Sequence, residues 1–336
     1  MNGINGRTAQ EMVAQMRTRG AKKGIIYALA SGVFWGLDAV ILAAILVWVV
    51  AKGTIAESAS LFFLMPLIFA MLHDASCGIF MVFFCMVNGK IKEYIRTMRT
   101  KPGWVIVLAA IFGGPLAMSG YLLGISFGGP YAVAITTCFP AVGAILGAIF
   151  LKEKIYPRVW FGIALVLVGS IIISWSPPED GQYPYFYWGV ALAVLSTIGW
   201  AIEGVLGTLG MDLVDSDLAL GIRELSSGVM YALFVIPVFW VMFSQIMGDG
   251  QILLATFGVG CVGAIAYLTY FKGLNRTGVA RGQALHVNYG LWYILFSWLF
   301  GQTQPTVNLW IGAVIAIVGI VFIVGNPKEL FSLRNS

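Results

Sequence analysis

The chain has 336 residues, 59% of them apolar and only 10% charged, with a formal net charge of +5. A mean hydropathy of +0.88 excludes a soluble domain, which must solvate its surface. The apolar runs last about 20 residues, the length an α-helix needs to cross roughly 30 Å of hydrocarbon, and they lack the alternation of a membrane β-strand, so an all-α membrane protein is expected.

Residues 1–23 are polar and carry Arg7, Arg17, Arg19, Lys22 and Lys23. They hold no short apolar core followed by a small-residue cleavage site, so this segment reads as a cytoplasmic N-terminal stretch and the first span as a retained anchor. Ten transmembrane helices are predicted: Gly24–Val50, Leu67–Asn88, Trp104–Ile125, Pro130–Leu151, Pro157–Trp175, Tyr187–Leu209, Leu218–Ser244, Gln251–Leu274, Gly278–Phe300 and Pro305–Gly325. Pro66, Pro130, Pro157 and Pro305 stand at or near helix starts, where a missing N–H costs nothing. Residues 53–65 read as a connector, Gly113-Gly114-Pro115 as an interruption of the third span, and residues 326–336 as a cytoplasmic tail.

Lys and Arg gather on one side, in the N-terminus, the loop Lys90–Lys101, the loop with Lys152, Lys154 and Arg158, the loop with Arg276 and Arg281, and the tail with Lys328 and Arg334. The opposite loops have Lys52 as their basic residue, beside Glu57, Glu179, Asp180 and Asp249. The positive-inside rule then places both termini in the cytoplasm of a multi-pass protein of the plasma membrane. The acidic loop with Asp212, Asp215 and Asp217 does not alter this, because acidic residues contribute little to orientation.

The chain repeats itself. Tyr121 to Ile171 aligns on Tyr270 to Val321, placing Gly162 and Gly169 on Gly312 and Gly319; His73-Asp74 aligns on Arg223-Glu224, and Trp35/Asp38 on Trp200/Glu203. Two halves of five spans, 24–175 and 187–325, follow. Five is odd, so the halves have inverted topology, the arrangement of secondary transporters whose site lies at the repeat interface.

Ten spans in inverted halves, glycines seven apart in spans five and ten, and Phe34-Trp35-Gly36 near the start resemble the EamA-type members of the drug/metabolite transporter superfamily. Within them, Ser31 to Gly36, His73-Asp74, Gly114-Pro115, Trp200 with Glu203, Tyr267, Tyr270, Leu274-Asn275-Arg276, and Tyr289 with Trp292 are most similar to bacterial choline permeases of the phosphorylcholine pathway. The chain departs from that pattern at Asp38, where a neutral residue is expected, and at His286, where asparagine is. The resemblance implies alternating access and a choline-like cargo.

Trp35/Asp38 and Trp200/Glu203 each share a helix face at a spacing of three. A buried carboxylate at membrane depth costs on the order of 3 kcal/mol unless it lines a cavity or finds a partner. Aromatic walls with acidic ends suit a small organic cation, since a desolvated cation over an indole gains roughly 2 kcal/mol. Candidate substrate-binding residues are Trp35, Asp38, His73, Trp200, Glu203, Tyr267, Tyr270, His286, Tyr289 and Trp292, the last three on one side of span nine. Other readings stand beside this one. Each aromatic also suits plain packing. Glu203 and Arg223 lie at similar depth and suit a buried ion pair, with Asp38 and His73 as its counterpart.

Histidines near neutrality suit protons as a coupling ion and equally suit structural hydrogen bonds. Cys77, Cys85, Cys138 and Cys261 have no metal-ligand spacing, and Walker and GxSxG patterns are absent. No cofactor, no metal and no nucleic-acid partner are expected. The expected surroundings are a lipid bilayer, with the chain a monomer or weak homodimer. The alternatives are an exporter of amino acids or other neutral metabolites and, from another class, a membrane enzyme acting on lipid headgroups.

Overall fold

Among the residues described by the computed structural model, 9–53, 65–128, 132, 135–174, 185–301 and 307–324, every regular element is helical. In chain order these are α1 (Ala9–Ala51), α2 (Met65–Val87), α3 (Ile91–Met98), α4 (Lys101–Ile111), a π-helical segment (Phe112–Met118), α5 (Ser119–Gly128), α6 (Phe139–Phe150) and α7 (Pro157–Ser174). Then follow α8 (Phe186–Gly210), α9 (Ser216–Val238), α10 (Trp240–Met247), α11 (Gly250–Thr277), α12 (Val279–His286), α13 (Tyr289–Leu299) and α14 (Val307–Val324). Among the described residues, six helical stretches are long and apolar enough to span a bilayer: 20–51, 65–87, 101–124, 186–210, 216–238 and 250–277. Three shorter apolar helices accompany them, within α6, α7 and α14.

Several expected spans are broken. The stretch 218–244 divides at Phe239, two residues beyond Pro237, whose missing N–H weakens the end of α9. The stretch 278–300 divides at Val287–Asn288 into α12 and α13. There the Asn288 amide donates to the carbonyls of Leu285 and Leu29, an alternative to the helical ladder. The stretch 130–151 divides at the turn Thr137–Cys138: Ile135 and Thr136 before it are helical, and α6 begins after it at Phe139, with Pro140 in its first turn. Gly113-Gly114-Pro115 does not stop its helix; it sits in the π-helical segment, whose wider turn accommodates a proline. Pro130, Pro305, Trp175, the tail and most of the 53–65 connector lie outside the described residues.

Some boundaries follow from local chemistry. Asp249 starts α11, its side chain accepting from the N–H groups of Gln251 at 3.0 Å and Ile252 at 3.3 Å. Gly278 ends it at φ +81°, a conformation that favours glycine.

Packing is pairwise: α1 lies on α11, α2 on α9, α7 on α14, and α8 on α4, the π segment and α5. The α7–α14 contact depends on glycine. A Cβ on Gly169 would stand 2.6 Å from the Gly312 carbonyl oxygen, so only a bare backbone permits this approach.

Charges tie the helix ends. Lys52, after α1, bonds Asp249 and, at 2.9 Å, Gln251 at the start of α11. That ammonium holds the Asp249 carboxyl below the usual carboxylate range. Past the far end of α2, Lys90 contacts Asp215 at 3.0 Å and Asp217 at 3.2 Å, and Lys272 contacts Asp217 at 2.9 Å. The hydrogen bond to Asp215, ahead of that to Asp217, holds Lys90 above the ordinary lysine range.

Candidate functional site

The helix breaks bring aromatic residues together. Trp35 comes from the middle of α1, Trp200 and Glu203 from α8, and Tyr267 and Tyr270 from α11. Phe139 opens α6, His286 closes α12 and Tyr289 opens α13, so three of the rings sit at helix ends. These eight residues line one cavity of about 30 Å³, room for about two waters at ~10–15 Å³ each.

The rings support one another. Trp35 meets Tyr267 edge-on with centroids 4.7 Å apart, and His286 lies 4.5 Å from Tyr270 and 5.5 Å from Tyr289. Trp200 packs between Tyr121 at 5.2 Å and Phe139 at 5.9 Å. Edge-to-face and tilted contacts of this kind fix ring orientation. The Ser31 hydroxyl donates its one hydrogen to the Ala28 carbonyl at 2.7 Å, and it lies 2.8 Å from His286 Nδ1. For a neutral imidazole this assigns the proton to Nδ1, which donates to Ser31.

Glu203 is the carboxylate of the cavity wall. Its Oε1 accepts from Arg223 Nε at 2.6 Å. Arg223 is fully buried; its Nη1 lies 2.8 Å from Glu224 Oε2 and 3.6 Å from Asp74 Oδ2, and its Nη2 donates to the Tyr267 hydroxyl at 3.2 Å. The guanidinium also stacks over the Tyr267 ring, 4.5 Å from its centroid. A Cβ on Gly113 would fall on the Glu203 carboxylate. The glycine of the π segment therefore leaves the space this carboxylate occupies.

Of the residues expected from sequence, Trp35, Trp200, Glu203, Tyr267, Tyr270, His286 and Tyr289 line the cavity. Asp38 and His73 do not. They form an adjacent buried cluster in which His73 Nε2 is 3.1 Å from Asp38 Oδ1 and Nδ1 is 3.4 Å from Asp74 Oδ1. Trp292 lines a separate lateral apolar groove with Asn288 and Trp298. Trp292 shares α13 with Tyr289 but stands a turn further along, with its Cβ against Gly36 of α1.

Two participants are not among the expected residues. Phe139 lines the cavity, and Gln283 donates to the Trp200 carbonyl and the Tyr270 hydroxyl, both at 3.2 Å. A proline next to Phe139 inside an apolar run, and an amide one turn before His286, are the sequence signals that could have marked them. Among the described residues no group of three His, Cys, Asp or Glu side chains could hold a metal ion.

Comparison with known proteins adds the following. The model of the EamA-like transporter family matches residues 22–175 and 187–325. Protein LicB of Haemophilus influenzae is 29% identical over 205 residues, 60% of this chain and 68% of that protein. One solved crystal structure superposes with a TM-score of 0.68 at 17% identity, covering 89% of this chain and 96% of the other, a likeness of fold.

Proposed function

We propose that this chain, which belongs to the EamA-like transporter family, moves a small organic cation, choline-like by preference, across the plasma membrane by alternating access. The observation that carries this reading is a cavity walled by six aromatic rings and an imidazole with Glu203 as its carboxylate. A quaternary ammonium needs no hydrogen-bond partner; it needs ring faces and a counter-charge, and these walls offer both. The resemblance to choline permeases at Trp35, Trp200, Glu203, Tyr267, Tyr270 and Tyr289 points the same way. The cavity as it stands has room of about 30 Å³, water-sized space, so its walls part when an organic cation enters.

The transporter of this reading has ten spans in two inverted five-span repeats, both termini in the cytoplasm. Helix pairing supports it. If span one corresponds to six and three to eight, then α1 on α11 mirrors α8 on α4, the π segment and α5. The pairs α2 with α9 and α7 with α14 are each their own mirror images. A two-fold exchange of halves produces that pattern.

One observation favours a second reading. The Glu203 carboxylate is already held by Arg223 at 2.6 Å, as it would be in an exporter of neutral metabolites whose buried charges are scaffold. Uptake into proteoliposomes, screened over choline, betaine, polyamines, guanidinium compounds and amino acids, separates the two. Uptake of choline or another amine is expected. Transport of a neutral amino acid with none of any amine would establish the second reading.

A further inference from the structure

One group in the wall of the aromatic cavity has only half its hydrogen bonding in use. We propose that His286 reads a hydroxyl on the organic cation, accepting its O–H at Nε2, so that the site favours a hydroxyl-bearing quaternary ammonium over one of the same size without the hydroxyl. This rests on the cation reading above and deepens it, at a position where the chain departs from the permeases it resembles.

The tautomer is set from behind the cavity wall. Ser31, on α1, is fully buried and gives its single hydrogen to the Ala28 carbonyl at 2.7 Å. What its oxygen offers His286 Nδ1, 2.8 Å away, is therefore a lone pair. Nδ1 carries the proton, and a neutral ring then keeps a bare lone pair at Nε2. The surroundings suit a neutral ring. Tyr270, Tyr289, Trp35 and Phe139 stand around it with centroids at 4.5, 5.5, 5.8 and 6.4 Å. His73 meets the carboxylates of Asp38 and Asp74 at its two nitrogens; His286, among the described residues, meets none.

Nε2 has no donor within the protein. Among the described residues, the contact with Ser31 is the one hydrogen bond that His286 makes. The Tyr270 hydroxyl, on the closest of the rings, accepts from Gln283 at 3.2 Å and forms no bond with the imidazole. His286 shares the cavity wall with Glu203, so an acceptor without a donor and a carboxylate border the same space. An acceptor left unmade in such a place is costly, and a ligand that donates to it removes the cost. The ammonium of the ligand lies against Glu203 and the ring faces, and a hydroxyl on a short carbon linker reaches Nε2. Betaine, with a carboxylate in place of the hydroxyl, sets lone pairs against a lone pair and is disfavoured.

The test is calorimetry on the full-length protein at about pH 8, where an ordinary imidazole is neutral. Three ligands are compared: choline, its O-methyl ether, and propyltrimethylammonium, in which a methyl replaces the hydroxyl. Choline should bind about three- to tenfold more tightly than either of the others. In His286→Phe, which keeps a ring, its advantage over propyltrimethylammonium disappears. Ser31→Ala frees Nδ1, so the imidazole can turn an N–H toward an ether oxygen. The ether should then draw level with choline while propyltrimethylammonium stays behind, a separation that a merely structural role for Ser31 does not produce. Should His286→Phe not fold, nitrogen NMR of isotope-labelled histidine decides in the unaltered chain, which has two histidines. The ring whose signals move in Ser31→Ala should be protonated at Nδ1, with an Nε2 signal that shifts with choline and not with propyltrimethylammonium. Equal affinities for those two ligands, an undiminished advantage in His286→Phe, an ether that gains nothing in Ser31→Ala, or a ring protonated at Nε2 overturns the proposal and leaves the cation reading standing. Absence of binding by choline and every other amine overturns both.

Discussion

Glu203 faces two ways, toward the cavity and toward Arg223, and its two roles predict different outcomes for Glu203→Gln. If the carboxylate existed to neutralise Arg223, its loss would strand a buried charge and cost about 3 to 5 kcal/mol. Arg223 keeps Glu224 at 2.8 Å and Asp74 at 3.6 Å, however. The amide should therefore cost about 1 kcal/mol of stability while abolishing or greatly weakening transport, checked by thermal melts and uptake together. A double variant Glu203→Gln/Arg223→Gln that is stable and transports at the parental rate would show the carboxylate to be scaffold. For the ring faces, Trp35→Ala and Trp200→Ala should each weaken cation binding by about 1 to 2 kcal/mol, roughly 5- to 30-fold. Trp292→Ala, in the lateral groove, should change it little. If Trp→Phe proves as damaging as Trp→Ala at both cavity positions, the ring-face account is wrong. Trp35, Trp200 and Glu203 were legible in sequence because a spacing of three fixes a shared helix face. Asp38 shares that face with Trp35 but lies a turn along, within reach of His73, and depth counted along a helix does not resolve one turn. Phe139 and Gln283 left only weak signals, a neighbouring proline and an amide one turn before His286, because a turn at Thr137–Cys138 and a backbone carbonyl of α8 recruit them.

At the scale of elements, run length reveals where apolar helices lie, and α2, α7, α8 and α11 begin and end within about three residues of expectation. Breaks are harder to read. Pro237 marks one, whereas Val287–Asn288 has neither proline nor glycine in the preceding turn, and its cause is the contact of Asn288 with Leu29 of α1. Gly162, Gly169, Gly312 and Gly319 were visible as a seven-residue pattern, and the structure shows what they do. Gly169→Ala would press a methyl against the Gly312 carbonyl at 2.6 Å and the Ala316 nitrogen at 2.7 Å, both backbone atoms that cannot rotate away. It should destabilise by about 1 to 3 kcal/mol. Gly258, also helical, meets nothing within 4 Å; Gly258→Ala should be neutral or stabilise by up to about 1 kcal/mol. Melting curves of the two variants in the same detergent check this, and equal melting temperatures would mean that α7 and α14 do not depend on close approach.

At the scale of the whole molecule the question is which end faces the cytoplasm. Contacts gather the basic loops at one end. Lys90 meets Asp217, which also holds Lys272 in the last turns of α11. Glu153, between Lys152 and Lys154, accepts from the N–H groups of Val279 at 2.7 Å and Ala280 at 3.2 Å, beside Arg276 and Arg281. Lys52 and Asp249 mark the other end, since α1 and α11 run antiparallel along each other. Charge in sequence already suggested this partition, because basic residues in short loops are what orients a span; that the loops converge was not legible, as it depends on how α2, α6, α9, α11 and α12 pack. With the Lys90 end cytoplasmic, a membrane-impermeant maleimide applied to right-side-out vesicles should label Gly250→Cys and leave Lys92→Cys untouched, and inside-out vesicles should give the converse. Both positions are exposed, and a side chain at Gly250 meets nothing within 4 Å, so labelling reports sidedness and not burial. Reversal of the pattern would turn the molecule over and place the basic end outside, against the rule from which the orientation was argued.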